Sequence, residues 1–271
     1  MILSSPAKIN LSLDILKKRS DGYHDIESNF QFIDWGDKLK IKPSKKLRVQ
    51  VNNFSISEKE NLVTKAIRKL ELNSDCALNF SINIDKNIPL GSGLGGGSSN
   101  AASALLAINS IAKLNFSLES LLKIGLEIGS DVPFFLNCHA AKVSGKGEKI
   151  ESKIFKEEKV LVLLPECEIS SKDAYDAITP KVIKNNKHYK NKNFFEEWVL
   201  DNFIPVKEAF NFLENFKNPK ISGTGSSLYV VIKSFEEGKE IMDNAPYKIR
   251  YVITNTINKS PLLNELLNSG V

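Results

Sequence analysis

From Pro89 the chain reads Pro89-Leu90-Gly91-Ser92-Gly93-Leu94-Gly95-Gly96-Gly97-Ser98-Ser99, five glycines in seven residues, and an Ala- and Leu-rich stretch follows at once. Glycine reaches positive φ and admits close approach to its backbone, so successive N–H groups can line one concavity. The helix expected from Asn100 to about Lys113 adds unpaired amides and the positive end of its dipole at the same point. Loop and helix together describe a phosphate site, with Ser98 and Ser99 as further donors of little bulk. The plain alternative is a flexible connector between a strand and a helix.

Three phosphate motifs do not account for the segment. Gly91, Gly93 and Gly96 satisfy GxGxxG, but a dinucleotide site needs a βαβ unit with an acidic strand end about 20 residues on. Glu119 is near that distance yet lies in a helical pattern. No Gly-Lys-Ser/Thr follows, so it is not a Walker A loop, and a protein-kinase glycine loop would precede a strand rather than open a helix.

Around this loop strands and helices mix without strict alternation, which gives an α+β chain in two layered lobes. Alternation from Ala7 to Ile15 reads as a strand with one buried face, closed by a turn at Asp21-Gly22. Further strands are expected at Ser28–Ile33, Leu39–Lys42, Leu47–Val51 and over Leu78 to Ile84. Helical spacing appears at Asn61–Leu72 and Leu118–Ile128. Gly129-Ser130-Asp131-Val132-Pro133 ends the second of these and opens a short element. Beyond about Ser152 come strands at Lys159–Leu164, Leu228–Ile232 and Lys248–Thr254. Helices are expected there at Lys172–Ile178, Phe194–Leu200, Val206–Phe216 and Phe235–Asn244. The boundary falls at 152/153, giving domains 1–152 and 153–271.

Composition narrows the class. The 42% hydrophobic and 25% charged residues exclude collagen-like, disordered and disulfide-scaffold chains. Net charge is +5, and the one dense basic run, Lys181 to Lys192, is interleaved with Asn and reads as a solvated linker rather than a nucleic-acid surface. Cys76, Cys138 and Cys167 are odd in number and widely spaced, which suits a reducing compartment. Apolar runs are far too short for a membrane span, and the N-terminus is wrong for a signal peptide, so the expectation is a cytoplasmic protein.

Several residues permit both a chemical and a bland reading. Lys8, beside Asn10 on the polar face of the first strand, can be a solvent-facing lysine. Asp131 can simply cap a helix. Tyr23-His24 can be surface decoration after a turn, and the turn Ile221-Ser222-Gly223-Thr224-Gly225-Ser226-Ser227 can be no more than a tight bend.

In combination the segments say more. Pro6-Ala-Lys-Ile-Asn-Leu11, Asp21-Gly-Tyr-His24, the 89–99 loop, Gly129-Ser-Asp-Val-Pro-Phe134 and Ser222-Gly-Thr-Gly-Ser226 occur in that order. The chain thereby resembles the GHMP kinases (galacto-, homoserine, mevalonate and phosphomevalonate kinases and relatives) over nearly its whole length, least at Ser44–Glu60 and Pro180–Asn215. The resemblance implies an N-terminal domain like ribosomal protein S5 domain 2 and a ferredoxin-like C-terminal domain. The first, second and fourth segments point to the branch in which ATP, with Mg2+, phosphorylates the 2-hydroxyl of a cytidine-diphosphate-linked methylerythritol for non-mevalonate isoprenoid synthesis. It implies Lys8 and Asp131 as the catalytic pair, Pro89 to Ser99 as the ATP loop and Asn10 at the acceptor. It also implies cytosine recognition by Tyr23, His24 and Tyr175. No carboxylate beyond Asp131 stands out as a Mg2+ ligand. No nucleic-acid or membrane partner is expected, and the chain would be a monomer or weak homodimer. A kinase for a sugar, homoserine or mevalonate-type acceptor is the near rival, and a non-enzymatic nucleotide-binding protein the distant one.

Overall fold

The computed structural model describes residues 1–52, 57, 60–179, 183 and 193–268. All of the basic run Lys181 to Lys192 except Ile183 lies outside them. The fold begins with a long antiparallel pair, β1 (Ile2–Lys18) and β2 (His24–Pro43), joined by the tight turn at Asp21-Gly22. Sequence alternation divides the second of these into two strands, with a break at Asp34–Lys38. The backbone instead continues through, because Gly36 has no Cβ: one placed there would stand 2.2 Å from the Ser5 carbonyl oxygen on β1.

Next come β3 (Arg48–Asn52), α1 (Leu62–Ser74) and β4 (Phe80–Asp85), with the Asn61 side chain capping α1. Then α2 (Gly96–Ile111), α3 (Leu118–Ile128) and α4 (Val132–Asn137) follow in succession. The hairpin β5 (Ala141–Gly145) and β6 (Lys149–Ser152) completes the first half. The second half runs β7 (Lys159–Leu164), α5 (Ser171–Asp176), α6 (Glu196–Asn202), α7 (Ile204–Glu214), β8 (Lys220–Ile221), β9 (Leu228–Ile232), α8 (Phe235–Asp243), β10 (Arg250–Ile257) and α9 (Pro261–Asn268).

Sheet order is β3-β4-β2-β10-β7-β9-β8, with β1 and β5 also on β2 and β6 on β5. Among the described residues every pairing between these strands is antiparallel except β3–β4. One apolar core gathers α1, α2 and α4 on the β1, β2 and β4 sheet, and small residues such as Ala101, Ala104 and Ala107 let α2 lie close against it. A second core gathers α6 and α7 against β7 and β9, and it takes in Leu13, Ile15 and Ile26 from the first hairpin. A third joins Ala7 and Ile9 to Val160, Val162 and Tyr229, tying the two halves together. The last helix, α9, returns to the first core through Leu262.

Candidate active site

Lys8 is not the solvent-facing lysine of its plain reading, and its neighbour Asn10 is no more exposed. Both are buried, at 2% and 3% exposure. The β1–β2 register shifts between Pro6 and Lys8 and again between Asn10 and Ser12, so two bulges bracket the pair. Ala7 and Ile9 on the opposite face are buried as well, so both faces of the strand are covered here. The Lys8 amide leaves the ladder and donates to the Leu94 carbonyl of the glycine loop at 3.0 Å.

The Lys8 ammonium donates to Asn10 Oδ1 at 2.6 Å, lies 3.5 Å from Asp131 Oδ2 and stands 4.6 Å from the centre of the Phe30 ring. Burial pulls its pKa below the ordinary lysine range, and the Asp131 carboxylate opposes that fall. Asn10 in turn donates from Nδ2 to Ser28 Oγ at 2.9 Å, which fixes its amide so that Oδ1 faces the lysine. Asp131 stands at the N-cap position of α4 but makes no side-chain capping bond there. Its carboxylate is one-third exposed and directed to Lys8. What holds it there is the packing of the next turn. Phe134 stacks on Phe32 at 4.5 Å and meets Phe30 edge-on at 5.0 Å, contacts of about 0.5–1.5 kcal/mol each beyond simple burial.

Helix α2 starts at Gly96, inside the glycine loop and four residues before the expected start, with Gly95 as an N-cap that has no side chain to close the first amides. Those amides are therefore left without a side-chain cap, the arrangement in which a helix start can take an anion. Gly91, Gly93 and Gly95 have φ of +56°, +73° and +72°. The loop hydroxyls differ in their surroundings. Ser99 donates to the Pro6 carbonyl at 2.7 Å and Ser92 to the Pro89 carbonyl at 2.8 Å, so both brace the fold, while Ser98 is half-buried in the first turn of α2.

The second glycine turn is where the residues alone are least informative. It docks on the first. Ser222 Oγ donates to the Gly93 carbonyl at 3.0 Å and accepts from the Asn10 amide at 3.3 Å. The Ser226 and Ser227 amides donate to the Gly91 and Ser92 carbonyls. A buried ion pair, unnoticed in the sequence, anchors the entry to the loop. Asp37 accepts the Lys86 ammonium at 2.5 Å on one oxygen and the Asn87 and Ile88 amides on the other.

On the far side of Asp131, His24 and Tyr175 bring their rings to 5.4 Å, and Phe195 closes edge-on behind Tyr175 at 4.9 Å. Tyr23, just before the strand, is half-exposed and carries the Lys146 ammonium 4.8 Å from its ring centre. Burial raises the Tyr175 pKa, and the charge of Asp131 adds to the rise. His24 Nε2 is buried with no hydrogen-bond partner among the described residues. An unpaired buried nitrogen costs about 1–3 kcal/mol, which a ligand bonding to it would recover. No group of three or more metal-ligating side chains occurs among the described residues.

Known proteins share this architecture. Residues 61–139 match the GHMP kinases N terminal domain. A Pasteurella multocida protein named 4-diphosphocytidyl-2-C-methyl-D-erythritol kinase is 35% identical over 96% of this chain and 91% of its own length. A protein of the same name from Actinobacillus pleuropneumoniae serotype 5b is 33% identical over 99% and 96%. The chain belongs to the 4-diphosphocytidyl-2-C-methyl-D-erythritol kinase family of GHMP kinases. Solved structures agree on the fold of this kinase. The crystal structure of 4-(cytidine 5'-diphospho)-2C-methyl-D-erythritol kinase superposes with a TM-score of 0.79 at 24% identity, covering 94% of this chain and 99% of that one. A mevalonate kinase gives 0.68 at 16% identity, covering 96% and 100%.

As a GHMP kinase the chain uses ATP on a small molecule. No helix among the described residues is long and apolar enough to cross a membrane.

Burial, with Lys18 second, lowers the His24 pKa below 6.5, and Asp176 opposes them. The unfolded chain therefore takes up this proton first. The stability contributed by neutral His24 is present above the unfolded value of 6.5 and lost as pH falls through it toward the folded value. Urea melts from about pH 7 down to about pH 5.5 should show a loss of stability that His24→Gln reduces. An identical pH slope in both proteins would refute this.

Proposed function

We propose that the chain transfers the γ-phosphoryl group of ATP to the 2-hydroxyl of 4-diphosphocytidyl-2-C-methyl-D-erythritol, a step in non-mevalonate isoprenoid precursor synthesis. The observation that carries this reading is the meeting, at one point, of the Lys8–Asp131 pair and the open N-terminus of α2. Pro89 to Ser99 would hold the ATP phosphates through backbone amides of the loop and of the first turn of α2. Phosphoryl transfer has a loose transition state, so the protein's part is alignment and charge stabilisation. Asp131 accepts the acceptor hydroxyl's proton, and Lys8 stabilises the developing alkoxide. Asn10 holds the Lys8 ammonium beside the reacting oxygen.

Mg2+ would neutralise phosphate charge when bound. It is commonly held by one or two carboxylates plus substrate phosphates. The donor set fits an ion carried on the nucleotide, with Asp131 and the Ser98 hydroxyl as the protein groups within the site. Cytosine would be held by His24 and Tyr175, with Tyr23 at its outer edge. The unpaired His24 Nε2 supports recognition of a base able to complete it. The same reading gives a cytoplasmic enzyme of two domains, 1–152 and 153–271, acting as a monomer or weak homodimer without a nucleic-acid partner.

The test is an ATP-consumption assay over an acceptor panel. A pocket with buried polar groups rejects partners that leave those groups unpaired. Galactose, homoserine and mevalonate should be poorer acceptors by orders of magnitude. His24→Ala and Tyr175→Ala should raise the acceptor KM far more than the ATP KM, because the contacts are remote from the transferred group. A preferred sugar, homoserine or mevalonate acceptor, or a change confined to the ATP term, would overturn the cytidine assignment and leave the kinase chemistry standing.

A further inference from the structure

The hairpin turn between β5 and β6 carries a lysine that the reaction as described does not use. Its place is fixed from three sides. Pairing of Ile26 with Gly145 sets the tip of the hairpin beside the start of β2, where Tyr23 and His24 lie. Gly147, at φ +122°, sits so close to the chain before Asp131 that a Cβ there would be 2.2 Å from the Ser130 carbonyl oxygen. Glu148 folds back and accepts the Lys146 amide at 2.6 Å. The turn is thus seated against the residue preceding Asp131, and the Lys146 side chain reaches from it to the Tyr23 ring. No ion pair among the described residues takes its ammonium, whereas neighbouring Arg19 is paired with Asp21 and Asp25, and Lys17 with Asp25.

On the acceptor assignment above, on which this inference rests, the two ends of the substrate lie on either side of that turn. The base is at Tyr23 and His24, and the hydroxyl is at Asp131. Whatever links them must cross the gap spanned by Lys146, and in a cytidine-diphosphate-linked polyol the linker is a doubly negative diphosphate. A partly exposed ammonium held between the two ends, feeling the charge of Asp21 but in no ion pair among the described residues, matches that charge. We infer that Lys146 is a specificity-determining residue that pairs with the acceptor's diphosphate and favours nucleoside-diphosphate-linked acceptors over uncharged ones. Its contact with Tyr23 keeps the long side chain extended over the substrate path, since an ammonium is attracted to the face of an aromatic ring.

The experiment titrates the full-length chain with cytidine, CMP and CDP while the ATP site is filled by a non-hydrolysable ATP analogue. For Lys146→Met, CDP affinity should fall roughly tenfold, the scale of one charge-assisted hydrogen bond, and cytidine affinity should stay within about twofold. Lys146→Arg should restore most of the CDP affinity, and the salt dependence of CDP binding should be shallower in the Met variant than in the parent. Equal losses for cytidine and CDP would mean that Lys146 acts only by supporting Tyr23, and no loss for either would mean that it is a bystander. Both results overturn the inference. His24→Ala in the same titration separates this from the base pocket: unchanged cytidine affinity there defeats the pocket, while the CDP-to-cytidine ratio still reports on Lys146.

Discussion

Asp131→Asn should lower kcat by about 10²–10⁴-fold while ATP affinity and melting temperature stay near those of the parent. The contrast follows from the geometry. Asp131 sits at the N-cap position of α4, where Asn is as good a cap as Asp. If capping were its task, Asn would preserve both stability and turnover. Its carboxylate makes no capping bond, however, and lies 3.5 Å from the buried Lys8 ammonium. α4 is held instead by Phe134 and Phe135, both buried, which the substitution does not touch. Lys8→Met should also abolish most turnover, but with a stability cost. It removes the donor to Asn10 Oδ1 and leaves that oxygen, already remote from water, with only a long 3.4 Å contact from Ser222 Oγ. Steady-state kinetics beside thermal melts decide the matter, and parental kcat in the Asp131→Asn enzyme would sink the catalytic reading.

These two residues also show where sequence reasoning reaches and where it stops. Local signals are legible wherever a segment's neighbours in space are its neighbours in sequence. The strands Lys159–Leu164 and Leu228–Ile232 and the helix Leu118–Ile128 stand where periodicity puts them. The hairpin β5–β6 and helix α9 have too short or too mixed a pattern to be read. Alternation places Lys8 and Asn10 on an exposed face because nothing near them in the chain covers it. The cover comes from the glycine loop through Leu94, and from Ser222 and Tyr229, whose hydroxyl donates to the Asn10 carbonyl at 3.1 Å across more than 200 residues. Family resemblance selects Lys8, Asn10 and Asp131, and the fold brings them together. The Asp37–Lys86 pair escapes notice for the same reason: a buried ion pair between a residue inside β2 and one just past the end of β4 leaves no periodic trace.

Gly93→Ala should cost more ATP affinity than any other single methyl group in the loop. Its φ is +73°, which disfavours any L side chain, and the added carbon would stand 2.0 Å from the Ser222 carbonyl oxygen and 2.8 Å from that of Gly225. Both obstacles are backbone, so neither can swing aside; the glycine loop and the 222–225 turn must separate. Separation pulls Ser222 away from the Asn10 amide and the Gly93 carbonyl and disturbs both the phosphate loop and the acceptor side. ATP affinity should fall by at least about a hundredfold, with a lower melting temperature, as expected when a close backbone approach that only glycine permits is blocked. Gly95→Val should be comparably damaging for ATP, because its Cβ would meet the Phe135 ring at 2.7 Å and the Lys8 side chain at 3.3 Å. Gly97 offers the control. It lies in the first turn of α2 with ordinary φ, and a Cβ there finds only Leu62 at 3.4 Å. Gly97→Ala should therefore fold at least as well as the parent, since alanine is favoured over glycine within a helix by roughly 0.5–1 kcal/mol. Nucleotide titration of the three folded variants is the measurement. Parental ATP affinity in both Gly93→Ala and Gly95→Val would remove the loop from the nucleotide site, whatever the fate of Asp131.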